Sequence, residues 1–277
     1  MSAAEHGASR ARSGVWLYWT GCAANYDPRI AAIVTATARV LRAGGIELEF
    51  LGREEACTGD PARRLGEEGL FQQLALQNIE TLKRRGVQRV VTHCAHCFHV
   101  LKNEYRRFGG EFEVVHHVEL IASLFAEGRI LPTRTASTPI TLHDSCYVGR
   151  YNRVFDAPRA ILRTLYGQAF AEMPRHGERS FCCGAGGANY WYDAPKRQPA
   201  GALRVEEAAR TGSRVVAAEC PFCVKMLEQG AQQTTASGPI QVQDIAELVA
   251  AALDSGDAAP APDLAVPSGQ AEKGARP

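Results

Sequence analysis

The stretch "RVVTHCAHCFHVLKNE" (residues 89–104) returns as "RVVAAECPFCVKMLEQ" (residues 214–229), with one residue inserted before the first cysteine. Each copy runs from a short apolar, β-branched segment through a C-x-x-C into residues of helical character, which reads as strand, turn and helix. The other cysteines follow the same doubling. Cys22, Cys57 and Cys94 recur as Cys146, Cys182 and Cys220, at offsets of 124, 125 and 126 residues. Between them, "VHHVELIASL" (115–124) is matched with "VQDIAELVAA" (242–251). Chance does not hold nine cysteines to one template, so the chain reads as a tandem duplication.

One secondary-structure reading then serves both halves. "VWLYW" (15–19), "IELEFL" (46–51), "RVVTH" (89–93) and "FEVVHH" (112–117) are expected strands. Their counterparts are "PITLHD" (139–144), "AFAEMP" (169–174), "SRVVAAE" (213–219) and "PIQVQD" (239–244). "RIAAIVTATARVLRAGG" (29–45) and "GLFQQLALQNIETLKRRG" (69–86) carry apolar residues at helical spacing and end on glycine. "FHVLKNEYRRF" (98–108) is expected as one helix. The alternation predicts an α/β fold: two Rossmann-like parallel-sheet halves in tandem, with cysteines at the carboxyl ends of the strands. Residues 1–14 are expected to be flexible, 15–135 and 139–253 to form the two cysteine-rich domains, and "LPTRTAST" (131–138) to be the hinge. The tail 254–277, poor in apolar residues, is expected to be disordered.

The totals exclude several classes. A formal net charge of +1 gives no electrostatic case for binding nucleic acid or an anionic membrane. No run reaches the roughly 18 apolar residues of a membrane span, and "MSAAEHGASRARSG" lacks the apolar core of a secretory signal. A cytoplasmic location is therefore expected, where clustered thiols point to metal binding or catalysis rather than disulfides. No acid–base pair, nucleophile triad or P-loop competes. "GAGGA" (184–188) lacks the G-x-G-x-x-G order of a dinucleotide turn.

The expected fold gathers the cysteines, because the carboxyl ends of parallel strands line one edge. Each C-x-x-C opens a helix, whose free N–H groups favour thiolate. In the second half the adjacent pair Cys182–Cys183 precedes "GAGG" (184–187), glycines that let the backbone fold around a bulky group. Buried small hydrophobes, a redox dithiol at either C-x-x-C, and zinc are the rival readings. Cys22, Cys57, Cys94 and Cys97 make four ligands, which suits zinc. Cys146, Cys182, Cys183, Cys220 and Cys223 make five, one too many for tetrahedral zinc and suited to a polynuclear iron–sulfur centre.

The second-half pattern, with "HDSCYVGRYN" (143–152), "FCCGAGGA" (181–188) and Cys220-Pro221-Phe222-Cys223, resembles the cysteine-rich CCG-domain proteins over residues 15–253. These include the B subunit of heterodisulfide reductase and iron–sulfur subunits of glycolate and lactate oxidation. "CTGDPARR" (57–64) and "CFHVLKNEY" (97–105) are similar to the branch that takes electrons from electron-transfer flavoprotein or flavin dehydrogenases. The resemblance implies a noncubane [4Fe-4S] cluster on Cys146, Cys182, Cys183, Cys220 and Cys223. For Cys22, Cys57, Cys94 and Cys97 it implies Zn²⁺ or a second iron–sulfur cluster. The first half departs from the pattern, because Thr58 stands where a second cysteine is expected. His93, His96, His99, His116 and His117 are candidates to replace that ligand, or strand-end caps of backbone groups.

The expected function is an iron–sulfur electron-transfer subunit of a multi-subunit oxidoreductase, working between a flavoprotein or ferredoxin-type partner and a quinone or terminal acceptor. A membrane quinone-reactive subunit among those partners would place the chain at the inner membrane without a span of its own. The alternatives are a heterodisulfide-reductase-type subunit cleaving a disulfide at the cluster, and a zinc-stabilised module without redox activity. In the first alternative, Lys225, His143 or Arg150 would position a substrate carboxylate. Gly184, Gly186 and Gly187 are candidate N–H donors to sulfur. "NYWYD" (189–193) is expected as a lid, as core, or as a docking patch, and Arg63-Arg64 as a local salt bridge or a contact for an acidic partner.

Overall fold

A computed structural model of the chain describes residues 14–191, 199–234 and 238–253. The expected flexible N-terminus up to residue 13 and the expected disordered tail lie outside the described residues, as do Tyr192 and Asp193. The first half contains β1 (Val15–Trp19), α1 (Pro28–Ala43), β2 (Glu47–Glu49), α2 (Asp60–Arg64), α3 (Glu68–Arg84), β3 (Arg89–Thr92), α4 (Ala95–His99), β4 (Glu113–His116) and α5 (His117–Ala126). The second contains β5 (Ile140–His143), α6 (Asp156–Tyr166), β6 (Phe170–Ala171), α7 (Ala200–Ala209), β7 (Val215–Ala218), α8 (Pro221–Gln233), β8 (Gln241–Asp244) and α9 (Ile245–Ala252).

The halves are two four-stranded, wholly parallel sheets of identical order, β2-β1-β3-β4 and β6-β5-β7-β8. This is the α/β, Rossmann-like duplication expected from the sequence. Helices cover both faces, so the central strands are largely apolar and buried: all four residues of β7, "VVAA", are buried. Helix α1 shows how local sequence sets an element. Asp27 caps its first turn by accepting from the Arg29 N–H at 2.9 Å, and Pro28 occupies its first position. Ile30, Ile33, Val34, Ala38 and Leu41 bury one face, and the helix stops at Gly44.

In each sheet the chain leaves the first strand toward one neighbour and the third strand toward the other. The loops after β1 and β3, and after β5 and β7, therefore diverge and open a crevice at the carboxyl edge. The halves are not separate bodies. Helices α1 and α5 pack on α9 and α6, and one continuous apolar core runs through both. Arg29 reaches across to Glu228 at 2.6 Å and to both oxygens of Glu247 at 2.5 and 2.8 Å. At the carboxyl ends of β4 and β8, His117 Nε2 meets Asp244 Oδ1 at 3.0 Å with both side chains fully buried.

Several details differ from the sequence expectation. Strand β6 is two residues long, because the edge chain leaves the sheet and carries Glu172 to Arg159 at 2.7 Å. His117 belongs to α5 rather than β4, since the His116 N–H turns away to Glu119 Oε2 at 2.9 Å as a helix cap. The equivalent cap is Asp244 N–H to Glu247, also at 2.9 Å. His116 thus matches Asp244, and the alignment of 115–124 with 242–251 shifts by one residue. The helix expected over 98–108 continues α4 but widens into a π turn over Val100–Glu104 and tightens into a 3-10 turn over Tyr105–Phe108. Helices α7 and α8 touch through Gly201 and Gly230: a Cβ on Gly230 would lie 2.4 Å from the Gly201 carbonyl carbon.

Candidate metal centre

The carboxyl edge of the second sheet brings its five cysteines together. Cys146 follows β5, the pair Cys182–Cys183 follows β6 after a longer loop, and Cys220 and Cys223 bracket the start of α8. The Cys183 and Cys223 sulfurs are 3.2 Å apart. Thiol contacts continue from Cys146 to Cys182, Cys182 to Cys183, and Cys223 to Cys220. Cys183, Cys220 and Cys223 are buried, and Cys146 and Cys182 partly so.

Protons are shared unevenly along this row. Cys182 is held down at about 2 by the thiols of Cys146 and Cys183 and by the Gly184 N–H, 3.3 Å from its sulfur. Cys146 is pushed up by that same contact and by burial. Burial raises Cys220 too, but contacts from Cys223, Cys94 and His96 outweigh it and hold it low. Cys223 is raised by Cys183, Cys220 and burial. Negative charge therefore collects on a row of soft donors that only a bound cation can hold at full ionisation.

The first half repeats the plan in reduced form. Cys22 and Cys57 interact directly, with Cys22 pushed up and Cys57 drawn down to about 7 by its contact with Cys22, helped by the Gly59 N–H at 3.4 Å. Cys94 accepts from the Cys97 N–H at 3.5 Å. Thr58 occupies the place of Cys183, and its hydroxyl faces Cys97 at 3.9 Å just as Cys183 faces Cys223. Gly59 and Gly184, the residues after these positions, share a positive φ of 87° and 92°, a turn that glycine adopts without strain. The two sets also meet each other, because Cys94 contacts Cys220 across the halves.

Around the sulfurs lies a frame of buried and half-buried polar groups that the sequence reading did not single out. Glu55 accepts from Thr20 N–H at 3.0 Å, Gly21 N–H at 2.5 Å and the Thr20 hydroxyl at 3.1 Å, fixing the loop to Cys22; burial raises it to about 7. In the second half Glu219 accepts from Ser145 N–H at 2.8 Å, and burial raises it strongly. The Ser145 hydroxyl lies 3.3 Å from the Cys223 sulfur. Asp144 joins Arg159 through bonds of 2.7 and 3.0 Å and accepts from Gly177 N–H at 2.8 Å, tying the end of β5 to the segment before Cys182. No short motif announces these residues; for Glu55, Asp144, Ser145 and Glu219 a cysteine one or two positions on is the sequence signal, and Arg159 has none.

The candidate histidines separate on inspection. His93 bonds the Tyr18 hydroxyl at 2.9 Å, His116 the His93 carbonyl at 3.2 Å, and His117 Asp244. His99 contacts Asn103 and Asn152. Of the five, His96 is the one bonded to a cysteine, at 4.0 Å, and that cysteine is Cys220 of the other half. His143 is buried, not poised at a surface for substrate; burial and the Arg204 charge lower it to about 4. Lys225 pairs with Asp27 at 2.9 Å, and Arg150 is exposed. Arg64 bonds Glu104 and Asp60 at 2.6 and 3.0 Å and Arg63 lies 3.3 Å from Glu104, so both form local ion pairs. Gly184 donates to sulfur as noted, whereas Gly186 and Gly187 belong to the following turn, where Gly186 O accepts from Asn189 N–H.

A pocket opens over the first-half cysteines. Cys22, Cys57, Cys94 and Cys97 line it, and Tyr190, Trp191 and Phe222 wall it from the second half. Tyr190 packs edge-on against Phe222 at 4.7 Å, while Trp191 is 51% exposed at the rim. The aromatic loop after the doublet therefore covers the neighbouring site rather than its own. No described helix is long and apolar enough to cross a membrane.

The family described as CCG, cysteine-rich domain, matches residues 16–102 and 140–228. Among curated relatives, the probable iron-sulfur-binding oxidoreductase FadF of Bacillus subtilis is 38% identical over 242 residues, covering 87% of this chain and 34% of its own. An EtfAB:quinone oxidoreductase of Syntrophomonas wolfei is 36% identical over 246 residues, covering 86% of this chain and 34% of its own. One component of the dihydromethanophenazine:CoB–CoM heterodisulfide reductase of Methanosarcina mazei is 37% identical over 243 residues, covering 86% and 58%. The chain thus spans about a third of the length of the first two and under two thirds of the third.

Proposed function

Because the chain belongs to the cysteine-rich CCG-domain family, we propose that it is the iron–sulfur electron-transfer part of a multi-subunit oxidoreductase. It works between a flavoprotein or ferredoxin-type partner and a quinone or terminal acceptor, the latter on a membrane subunit where the acceptor is quinone. The observation that carries this reading is the convergence of five second-half thiols on one row, with the 3.2 Å approach of Cys183 and Cys223 at its centre. The donor set fits an iron–sulfur group: thiolates are soft ligands, and five exceed what a single tetrahedral zinc takes. Cys146, Cys182, Cys183, Cys220 and Cys223 would hold a [4Fe-4S] cluster of the noncubane kind, and Cys22, Cys57, Cys94 and Cys97 either Zn²⁺ or a second cluster. Such a cluster, when bound, supplies a one-electron store.

The protein's own part is to gather thiolates, exclude water and supply N–H and O–H donors to sulfur, which set the potential. Gly184 N–H and the Ser145 hydroxyl already stand in those places. Iron, zinc and acid-labile sulfide are to be measured on anaerobically purified protein, with the paramagnetic spectrum of the wild type and of Cys183→Ser. The reading expects iron with sulfide and a spectrum that the substitution abolishes or alters. Stoichiometric zinc without sulfide, or an unchanged spectrum in Cys183→Ser, refutes it.

A second reading, disulfide cleavage at the site, is favoured by the pocket over Cys22, Cys57, Cys94 and Cys97 and by the heterodisulfide reductase component among the relatives. Thiol release from a mixed disulfide by the reduced protein distinguishes it from electron transfer alone.

A further inference from the structure

Strand β5 ends on His143, which is 1% exposed. One of its ring nitrogens and the sulfurs of Cys183 and Cys223 all lie within 4.8 Å of one another, so three groups that could ligate a metal share one spot. The ring's contact with Arg204 decides its role. Arg204 directs its Nε at His143 Nδ1 across 3.1 Å. That guanidinium is itself fully buried and held by Glu207 at 2.9 Å, the Arg175 carbonyl at 2.9 Å and the Ser180 hydroxyl at 3.4 Å. A guanidinium only donates. Nδ1 must therefore present its lone pair, and the proton of the neutral ring sits on Nε2, which is buried and has no partner among the described residues.

Binding iron through Nε2 while Nδ1 accepts from Arg204 would require an imidazolate beside several thiolates, which the local negative charge opposes. Donation is the arrangement that satisfies both nitrogens. The first half supplies an independent parallel. By strand register Trp19 stands where His143 stands, each paired with the last residue of the third strand of its sheet. The Trp19 indole N–H is likewise buried without a partner among the described residues, and an indole can donate but never ligate through that proton.

We propose that His143, fixed in its tautomer by Arg204, donates a hydrogen bond from Nε2 to the Cys183 and Cys223 sulfurs and so raises the reduction potential of the group they hold. It is a positioning residue and not a ligand. A donor aimed at sulfur favours the reduced, more negative state, and Ser145, 3.3 Å from the same Cys223 sulfur, adds a second. The proposal rests on the iron–sulfur reading given above.

The test uses the full chain, purified anaerobically as wild type, His143→Leu and His143→Gln. Iron and acid-labile sulfide per chain are measured first, then the midpoint potential by a redox titration followed by paramagnetic resonance. Pulsed resonance on ¹⁵N-histidine-labelled wild type completes the set. Equal metal and sulfide in all three proteins is expected, with a more negative midpoint in His143→Leu and partial recovery in His143→Gln, whose amide can donate. The wild type should show the weak nitrogen coupling of a hydrogen-bonded ring. Metal-loaded proteins with identical midpoints overturn the proposal while leaving the iron–sulfur reading intact. A strong, directly bonded nitrogen coupling in the wild type overturns it in favour of ligation, whether or not the variants fold. Wild-type protein without iron and sulfide overturns both.

Discussion

Arg159→Met should destabilise the chain by about 3–5 kcal/mol, the cost of leaving a buried carboxylate without its cation. Arg159 and Asp144 are joined by two charge-assisted bonds of 2.7 and 3.0 Å, with their side chains only 9% and 2% exposed. After the substitution Asp144 keeps one side-chain bond, from the Gly177 N–H at 2.8 Å, which cannot neutralise it. Methionine retains most of the buried stem, so the loss reports charge and not a cavity. The companion Arg159→Met/Asp144→Asn removes that buried charge while an amide oxygen can still accept from Gly177; Glu172, 28% exposed, loses Arg159 in both variants alike. The double variant should lose only about 1 kcal/mol for each neutral bond forgone and be more stable than the single variant. Urea unfolding of the reduced, metal-free proteins measures both, with linear extrapolation and unchanged slopes as the check. A single variant within about 1 kcal/mol of wild type, or a double variant no more stable than the single, would refute the reasoning. The pair also ties the loop of Cys146 to the segment before Cys182, so the single variant should retain less metal when loaded.

Gly230→Ala should cost about 1–3 kcal/mol or more, because the new methyl would lie 2.4 Å from the Gly201 backbone, which cannot yield as a side chain would; an unchanged urea midpoint contradicts this. Glu55→Gln should weaken metal retention by the first half about 10–100-fold, since two backbone N–H groups and a hydroxyl converge on that carboxylate. Competition with a chelator, followed as metal released per chain, reads that change, and equal release by both proteins counts against it. Although burial pushes Glu104 up, bonds from His99 and Arg64 outweigh it and hold it at about 2. Its folded value lies below the unfolded value of about 4.3, so its stabilisation is present above that value and is lost as pH falls through about 2. Unfolding of metal-free Glu104→Gln should therefore change less with pH across that window than unfolding of wild type.

The duplicated α/β fold was legible because cysteines after strands leave a pattern that survives divergence elsewhere in the halves. Cys94 and Cys97 with Cys220 and Cys223 fixed the third strand and its helix in each half, whereas the strand order came from the structure. Local pattern failed where a tertiary contact decides. The shortening at Phe170–Ala171 depends on Glu172 finding Arg159, and the one-residue shift at His116 depends on a cap bond to Glu119. The π turn over Val100–Glu104 carries no sequence signature. His143 reads as a polar residue near a cysteine; that it is buried, with one nitrogen engaged by Arg204 from 61 residues away, only the folded chain reveals. The same holds for the meeting of Cys94 with Cys220, since nothing within either repeat specifies how the two face each other.

That meeting binds the electrostatics of the halves together. Charge arriving at either sulfur set is felt at the other through a few ångströms of poorly polarisable protein, where dissolved salt screens little. Were both halves to hold a redox group, uptake of a first electron would discourage a second, and the two would titrate as separated steps of a coupled pair. Duplication with one ligand changed thus sets four cysteines and five side by side, each set within reach of the other's charge.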